Sequence, residues 1–316
     1  MKRPAPPGGG FPRKSLLGVD DLSLEEVRYI LALAEFYATL LRSNRPAKAR
    51  LAGKTQVNLF FEDSTRTNSS FELAGKKLGA DVLTVPVTAS SVNKGESLFD
   101  TAGTLAAMGA DVMIVRHREP GVHRTLAEQL SCPVVNAGDG AHEHPTQALL
   151  DAATIRSVFG GFDGLIIAIC GDVRHSRVAR SGTRLFTKLG AEVRFVGPQS
   201  LMPDESRFPD IARYDTLQEG LAGAHIVMAL RMQFERMEPE EEDPSADYFE
   251  RFGLSHQTLR YAGPGAAVMH PGPMNRGVEI DDALADDAER SLILRQVFYG
   301  VATRMACLDA ILTGGE

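Results

Sequence analysis

Along the 316-residue chain, short apolar runs alternate with stretches in which apolar residues recur every three or four positions. The first such stretch opens with Ser23-Leu24-Glu25-Glu26, where a serine and a glutamate three residues on can satisfy each other's backbone donors. Val27, Ile30, Leu31, Ala34, Tyr37 and Leu41 follow at helical spacing, which predicts a helix. Apolar runs predict strands over 56–61, 81–85, 111–115, 133–136, 165–170, 192–196, 225–230 and 267–270. Helical patterns over 69–78, 97–108, 145–158 and 176–189 separate most of them. Alternation of this kind predicts an α/β chain whose parallel sheets are covered by helices on both faces. Eight strands suit two doubly wound domains of about four or five strands each. The break between them is expected in or near 145–158, which Phe159-Gly160-Gly161 follows.

Composition narrows the classes. Lys and Arg number 34 against 41 Asp and Glu, a formal charge of −7. That balance argues against gripping nucleic acid or an anionic membrane with the whole surface, though it is silent on a local patch. The longest apolar helical stretch, 291–312, is interrupted by Arg295, Arg304 and Asp309, so no bilayer span is expected. The opening MKRPAPPGGGFPRK carries charge without an apolar stretch behind it; residues 1–14 read as a flexible tail and the chain as cytoplasmic. Cys132, Cys170 and Cys307 are an odd set without metal-type spacing, and the first two sit in apolar runs, as buried thiols do. The acid- and proline-rich run 238–247 reads as a solvated loop or, beside a site strand, as a mobile lid.

Polar residues gather where the predicted strands end, the edge at which open parallel sheets bind ligands. The run 56–61 leads to Ser64-Thr65-Arg66-Thr67 and then a helix; 111–115 leads to Arg116-His117; 133–136 leads to His142, His144, Thr146 and Gln147. In the second half, 165–170 leads to Asp172, Arg174, His175 and Arg177, 225–230 to Arg231, Gln233, Glu235 and Arg236, and 267–270 to Pro271-Gly272-Pro273. Cations and hydroxyls at one edge predict a cleft for a multiply charged anion. Ser64 to Thr67 is the sharpest element, because a helix N-terminus offers unpaired N–H groups and a dipole that favours phosphate. Other phosphate motifs fail. Gly53-Lys54-Thr55 lacks the P-loop glycine, since Lys48 stands there, and Gly171-Asp172 lacks the later dinucleotide glycines. His142-Glu143-His144 has neither helical metal spacing nor a third ligand, so no metal and no cofactor are expected.

Taken together, FEDSTRTN (61–68), SSVNKGES (90–97), VRHRE (115–119), AHEHPTQALLD (141–151), GDVRHSRVARS (171–181), RMQFER (231–236) and HPGPMNRGVEI (270–280) carry a resemblance. In order and spacing the sequence resembles the aspartate carbamoyltransferase catalytic chains of the aspartate/ornithine carbamoyltransferase superfamily. Ornithine carbamoyltransferases share the phosphate motif, but usually place Arg at the position of Asn68 and carry an HCLP segment and an SMG loop. Here the segment is His270-Pro271-Gly272-Pro273 and no SMG tripeptide occurs, which favours the aspartate branch.

The resemblance implies two α/β domains with the active site in the cleft between them: residues 15–148 for carbamoyl phosphate and 149–288 for aspartate, with a C-terminal helix within 289–316 packing back on the first. It implies transfer of the carbamoyl group to the α-amine of L-aspartate, in de novo pyrimidine biosynthesis. Ser64, Thr65, Arg66 and Thr67 would hold the phosphate. Arg116 would reach a phosphate oxygen and, with Thr67 and His144, the carbonyl oxygen. Gln147 and the Pro273 carbonyl would accept from the carbamoyl NH2, and the Gly272 carbonyl would meet the attacking amine. Arg177 would take the α-carboxylate, Arg231 and Gln233 the side-chain carboxylate, and Asp172 would orient its neighbours. Ser90 and Lys94 would reach a neighbouring subunit's site. The implied partners are two further copies in a homotrimer, working alone, with a regulatory chain, or docked to a dihydroorotase-like protein. Rival readings are another acceptor such as ornithine, or a non-catalytic assembly subunit.

Overall fold

The computed structural model describes residues 2–47, 49–86, 97–233 and 247–314. Contacts divide the chain into two compact units, one running to Ala153 and resuming at Val297, the other comprising Thr154–Gln296.

The first unit holds β1 (Thr55–Phe60), β2 (Asp81–Pro86), β3 (Val112–His117) and β4 (Val134–Asp139). Its helices are α1 (Leu24–Arg42), α2 (Thr65–Leu78), α3 (Leu98–Ala107), α4 (Val122–Gln129) and the start of α5 (Pro145–Phe159). The strands are all parallel in the order β2-β1-β3-β4. The chain thus winds outward from β1 to β2, then returns to β3 on the other side. The crevice at the carboxyl ends of β1 and β3 is the switch point where such sheets bind ligands. The expected capping box opens α1: Ser23 Oγ accepts from the Glu26 amide, and Glu26 Oε2 accepts from the Ser23 amide at 2.6 Å. Strand β1 is buried although it carries Gln56 and Asn58. Those amides are used internally: Gln56 Nε2 donates to Asn58 Oδ1 (2.8 Å) and to the Phe71 carbonyl (3.0 Å), while Asn58 Nδ2 donates to Asn68 Oδ1 (3.2 Å). This ladder clamps the first turns of α2 onto β1. Gly75 allows the approach, since a Cβ there would collide with the Gln56 side chain.

Residues 2–14, expected to be a flexible tail, are tied down. Arg3 Nε lies 2.9 Å from the buried Asp309 on α11 (Ile293–Thr313), which also accepts from Tyr37 (2.6 Å) and Arg50 (3.1 Å). Phe11 is buried and its amide donates to the Gly314 carbonyl, and Arg13 pairs with Glu26 at 2.8 Å. Buried carboxylates need partners, and the basic tail supplies them.

The second unit holds β5 (Ile166–Cys170), β6 (Glu192–Val196), β7 (Ala212–Tyr214), β8 (Ile226–Ala229) and β9 (Ala267–Met269), parallel in the order β7-β6-β5-β8-β9. Its switch point lies between β5 and β8. Helix α6 (Arg177–Lys188) follows β5, and four short helices, α7 (Leu217–Gly220), α8 (Tyr248–Phe252), α9 (His256–Leu259) and α10 (Asp282–Ala285), fill the later connections. Ala168, Val227, Val268, Tyr248, Phe252 and Leu254 form part of one apolar core cluster here. Seven strands lie within two residues of the expected runs, β4 runs three residues past its expected end at 136, and β7 is additional. All three cysteines are buried and unpaired.

Candidate active site

In the first unit, Phe60 pairs with Arg116 and the Phe61 amide donates to the Arg116 carbonyl at 2.8 Å. The Ser64 to Thr67 turn and Arg116 therefore leave the sheet side by side. Ser64 occupies the N-cap of α2 without spending its hydroxyl on a cap bond, and no acid stands in the first turn. The positive end of that helix is left to a ligand rather than to its own sequence. Thr67 is buried. Arg66 keeps much of its surface exposed, yet the desolvation of its guanidinium lowers its pKa, and no carboxylate among the described residues offsets this. The Arg116 Nε lies 2.9 Å from Glu62 Oε2, and its Nη1 donates to the Ala137 carbonyl at 3.4 Å.

Strand β4, beside β3, delivers the next residues through a turn built on Asp139. Its amide donates to the Glu143 carbonyl (2.9 Å), its carbonyl accepts from the His142 amide (2.7 Å), and its carboxylate accepts from the Gly121 amide (3.0 Å). The carboxylate also faces His123 Nδ1 at 3.3 Å and His142 Nδ1 at 3.1 Å. Burial works to raise the Asp139 pKa, but these partners, His123 foremost, outweigh it and hold it below the usual aspartate range. The turn ends at His144, buried at the head of α5, whose carbonyl accepts from the Gln147 and Ala148 amides. Pro145 begins the helix, where its missing N–H costs nothing. Ser90 and Lys94 lie outside the described residues.

In the second unit the same pattern recurs. Cys170 pairs with Ala229 and the Leu230 amide donates to the Cys170 carbonyl, so Asp172 and Arg231 also leave neighbouring strand ends. Gly171, at φ +118°, permits this, because a Cβ would meet the Leu230 carbonyl at 2.8 Å. The buried Asp172 carboxylate accepts from the His175 amide (3.1 Å) and His175 Nδ1 (2.9 Å) with one oxygen, and from the Gln233 amide (3.1 Å) with the other. It fixes the segment that carries Arg231 and Gln233 against the β5 turn. Arg177 is buried at the first position of α6, behind the Ser176 cap. Glu235 and Arg236 fall outside the described residues, as does the 238–247 run except for Asp247.

The Gly272–Pro273 turn rests on two buried groups. His270 Nδ1 accepts from the Gly272 amide at 2.7 Å, so its proton sits on Nε2, which donates to Glu279 Oε1 at 3.0 Å. The same oxygen accepts from the Asn275 amide. The Gly272–Pro273 peptide is cis. Asp139 and Glu62 stand at strand ends and Glu279 in the connection after β9; their orienting roles depend on contacts that spacing does not show. Among the described residues no cluster of three or more His, Cys, Asp or Glu is arranged for a metal ion, and no helix is long and apolar enough to cross a membrane.

Comparison with known proteins gives three concordant findings. Residues 14–157 match the carbamoyl phosphate-binding domain of the aspartate/ornithine carbamoyltransferases, and residues 163–311 match their aspartate/ornithine-binding domain. The chain is 54% identical to the aspartate carbamoyltransferase catalytic subunit of Parvibaculum lavamentivorans, over 95% of this chain and 92% of that one. It is 52% identical to that of Granulibacter bethesdensis, over 95% of each. The aspartate transcarbamoylase of Trypanosoma cruzi, solved with carbamoyl phosphate and aspartate, superimposes with a TM-score of 0.88 at 30% identity, covering 98% of this chain and 99% of that one. The catalytic subunit of the M. jannaschii enzyme gives 0.83 at 33% identity, covering 95% and 98%.

Proposed function

The chain belongs to the aspartate/ornithine carbamoyltransferase family, and from that premise we propose that it makes N-carbamoyl-L-aspartate and phosphate from carbamoyl phosphate and L-aspartate. It is an aspartate carbamoyltransferase by activity, and its place is de novo pyrimidine biosynthesis. The observation that carries the reading is the α2 N-terminus: an unspent Ser64 hydroxyl, no acid in the first turn, and an Arg66 charge without an offsetting carboxylate.

Carbamoyl phosphate is a dianionic mixed anhydride. Ser64, Thr65, Arg66 and Thr67 hold its phosphate on the α2 amides, and Arg116 bridges phosphate and carbonyl oxygen. Arg177 takes the α-carboxylate of aspartate, while Arg231 and Gln233 take the side-chain carboxylate; two guanidiniums suit a dicarboxylate because each can pair bidentately. The deprotonated α-amine attacks the carbamoyl carbon. A C–N bond forms, the oxyanion is held by Thr67, Arg116 and His144, the bond to the phosphate oxygen breaks, and phosphate leaves with the amine proton. Gln147 and the Pro273 carbonyl accept from the carbamoyl NH2, and the Gly272 carbonyl from the amine. No protein nucleophile is needed, so catalysis consists of positioning and electrostatics. Each oxyanion donor is worth about 2.7–4 kcal/mol, or roughly 100- to 1,000-fold in rate.

The assembly is a homotrimer in which Ser90 and Lys94 complete a neighbour's site. The family resemblance supports this reading, and a regulatory chain or dihydroorotase-like protein remains a partner to be sought by native mass. The cytoplasm is the proposed compartment, which the three unpaired thiols suit. Turnover of purified protein with carbamoyl phosphate and either aspartate or ornithine tests the reaction; turnover with ornithine alone, or binding without turnover, would overturn it. Mixed trimers of Arg66→Ala and Lys94→Ala chains, each inactive alone, test the shared site, which regained activity supports.

A further inference from the structure

An amide side chain presents a donor end and an acceptor end of nearly equal size, and only its surroundings decide which one a ligand meets. Gln147, in the first turn of α5, has that decision made one turn further along the helix. Its Nε2 donates to Oδ1 of Asp151 at 3.0 Å, and Asp151 is fully buried. With the NH2 end held by that oxygen, Oε1 is the end left to a ligand. Arg304 of α11, a buried guanidinium 5.0 Å over the Phe71 ring of α2, belongs to the same unit. Burial lowers its pKa to about 10, while Cys307 and Asp151 work to raise it.

We propose that Asp151 is a positioning residue that holds the Gln147 amide with its oxygen outward, and so makes the site select a carbamoyl over an acyl phosphate. The inference rests on the reading of Gln147 given above. A carbamoyl group brings two N–H donors to that oxygen, whereas an acetyl group brings a methyl that can use neither end. Turning the amide over would set donor against donor and remove the distinction, while leaving the phosphate contacts on α2 untouched.

The test compares carbamoyl phosphate with acetyl phosphate, which share the phosphate and differ at the group Gln147 meets. KM for carbamoyl phosphate, the inhibition constant of acetyl phosphate and the dissociation constant of inorganic phosphate are measured for wild type and Asp151→Leu, which offers the Gln147 NH2 no acceptor. The preference for carbamoyl over acetyl phosphate should fall about tenfold in the variant, the effect of one hydrogen bond, with acetyl phosphate and inorganic phosphate binding unchanged. An unchanged preference, or equal weakening of all three ligands, overturns the proposal. If Asp151→Leu does not fold, Asp151→Ala is read the same way. Gln147→Leu must lose the same preference, and an unchanged ratio there also overturns it. Failure of the parent reading looks different, because wild type itself would then not turn over carbamoyl phosphate.

Discussion

Replacing Asp172 with asparagine changes one atom in a buried site and should damage the handling of aspartate selectively. In the structure one carboxylate oxygen accepts from the His175 amide (3.1 Å) and His175 Nδ1 (2.9 Å), and the other from the Gln233 amide (3.1 Å). An asparagine has a single acceptor oxygen. It will side with the two His175 donors, leaving its own NH2 against the Gln233 N–H. Each hydrogen bond to a charged acceptor is worth about 1.5–3 kcal/mol, so the segment carrying Arg231 and Gln233 loses that much of its anchoring. If the loss falls on productive aspartate binding, kcat/KM for aspartate drops about 10- to 150-fold. The assay is steady-state kinetics with aspartate varied at saturating carbamoyl phosphate, then the reverse, with thermal unfolding as a control on folding. KM for carbamoyl phosphate should move less than threefold, because its proposed ligands are held by other strands. A kcat/KM for aspartate within threefold of wild type would refute the reasoning, as would equal losses for both substrates.

Arg66→Ala should weaken inorganic phosphate binding and lower kcat/KM for carbamoyl phosphate by roughly 100-fold or more, the scale of one preorganised donor; titration and kinetics check this, and phosphate binding that survives intact would contradict it. Glu26→Gln tests a pH-dependent clasp. Burial works to raise the Glu26 pKa, but hydrogen bonds from Arg13 and Ser23 outweigh it and hold it low. A lowered carboxylate pKa adds stability above the unfolded value of about 4.3 that is lost as pH falls through the folded one. The variant should therefore be less stable by about 1–2 kcal/mol at neutral pH, and the gap should close in denaturant titrations below about pH 4; a gap constant with pH would count against this. Asp309→Ala removes the carboxylate shared by Arg3, Tyr37 and Arg50. It should cost about 3 kcal/mol by leaving buried donors unpaired, and should make residues 2–14 sensitive to brief proteolysis, whereas Arg3→Ala alone should cost less.

The architecture was legible because it rests on local signals. Apolar runs marked eight strands, and the Ser23 to Glu26 box marked a helix start. Strand β7 escaped because three residues with Arg213 in the middle carry no apolar run, and an edge strand needs none. The short helices α7 to α10 span four or five residues, too few for periodicity to register. Arg304 and Asp309 were visible as breaks in an apolar helix, and as such they argued only against a membrane span. In the fold both are buried, one over the Phe71 ring and one holding the N-terminal arm, while Arg295 alone of the three breaks is exposed. A charge inside an apolar helix is thus a signal of tertiary structure. The carboxylate of Asp309 has to be paired, and its partners Arg3, Tyr37 and Arg50 lie far away in sequence.

The net charge of −7 and a preference for anions are compatible because the attraction does not depend on the sum over the surface. In a parallel sheet each helix carries the chain back to the amino edge, so every strand-to-helix junction places a helix N-terminus at the carboxyl edge. Here α2, α5 and α6 all begin there, and their partial positive charges appear in no count of Lys and Arg. Winding outward from β1 in one unit and from β5 in the other opens that edge at one crevice per sheet. The sequence then adds Arg66 and Arg116 at the first crevice, and Arg177 and Arg231 at the second. Screening limits such fields to about 8 Å at physiological ionic strength, so acidic surface elsewhere neither cancels them nor needs to be sparse. The backbone makes each edge hospitable to an anion, and buried carboxylates such as Asp139, Asp151 and Asp172, which meet the solvent at neither crevice, decide how the polar groups there are held.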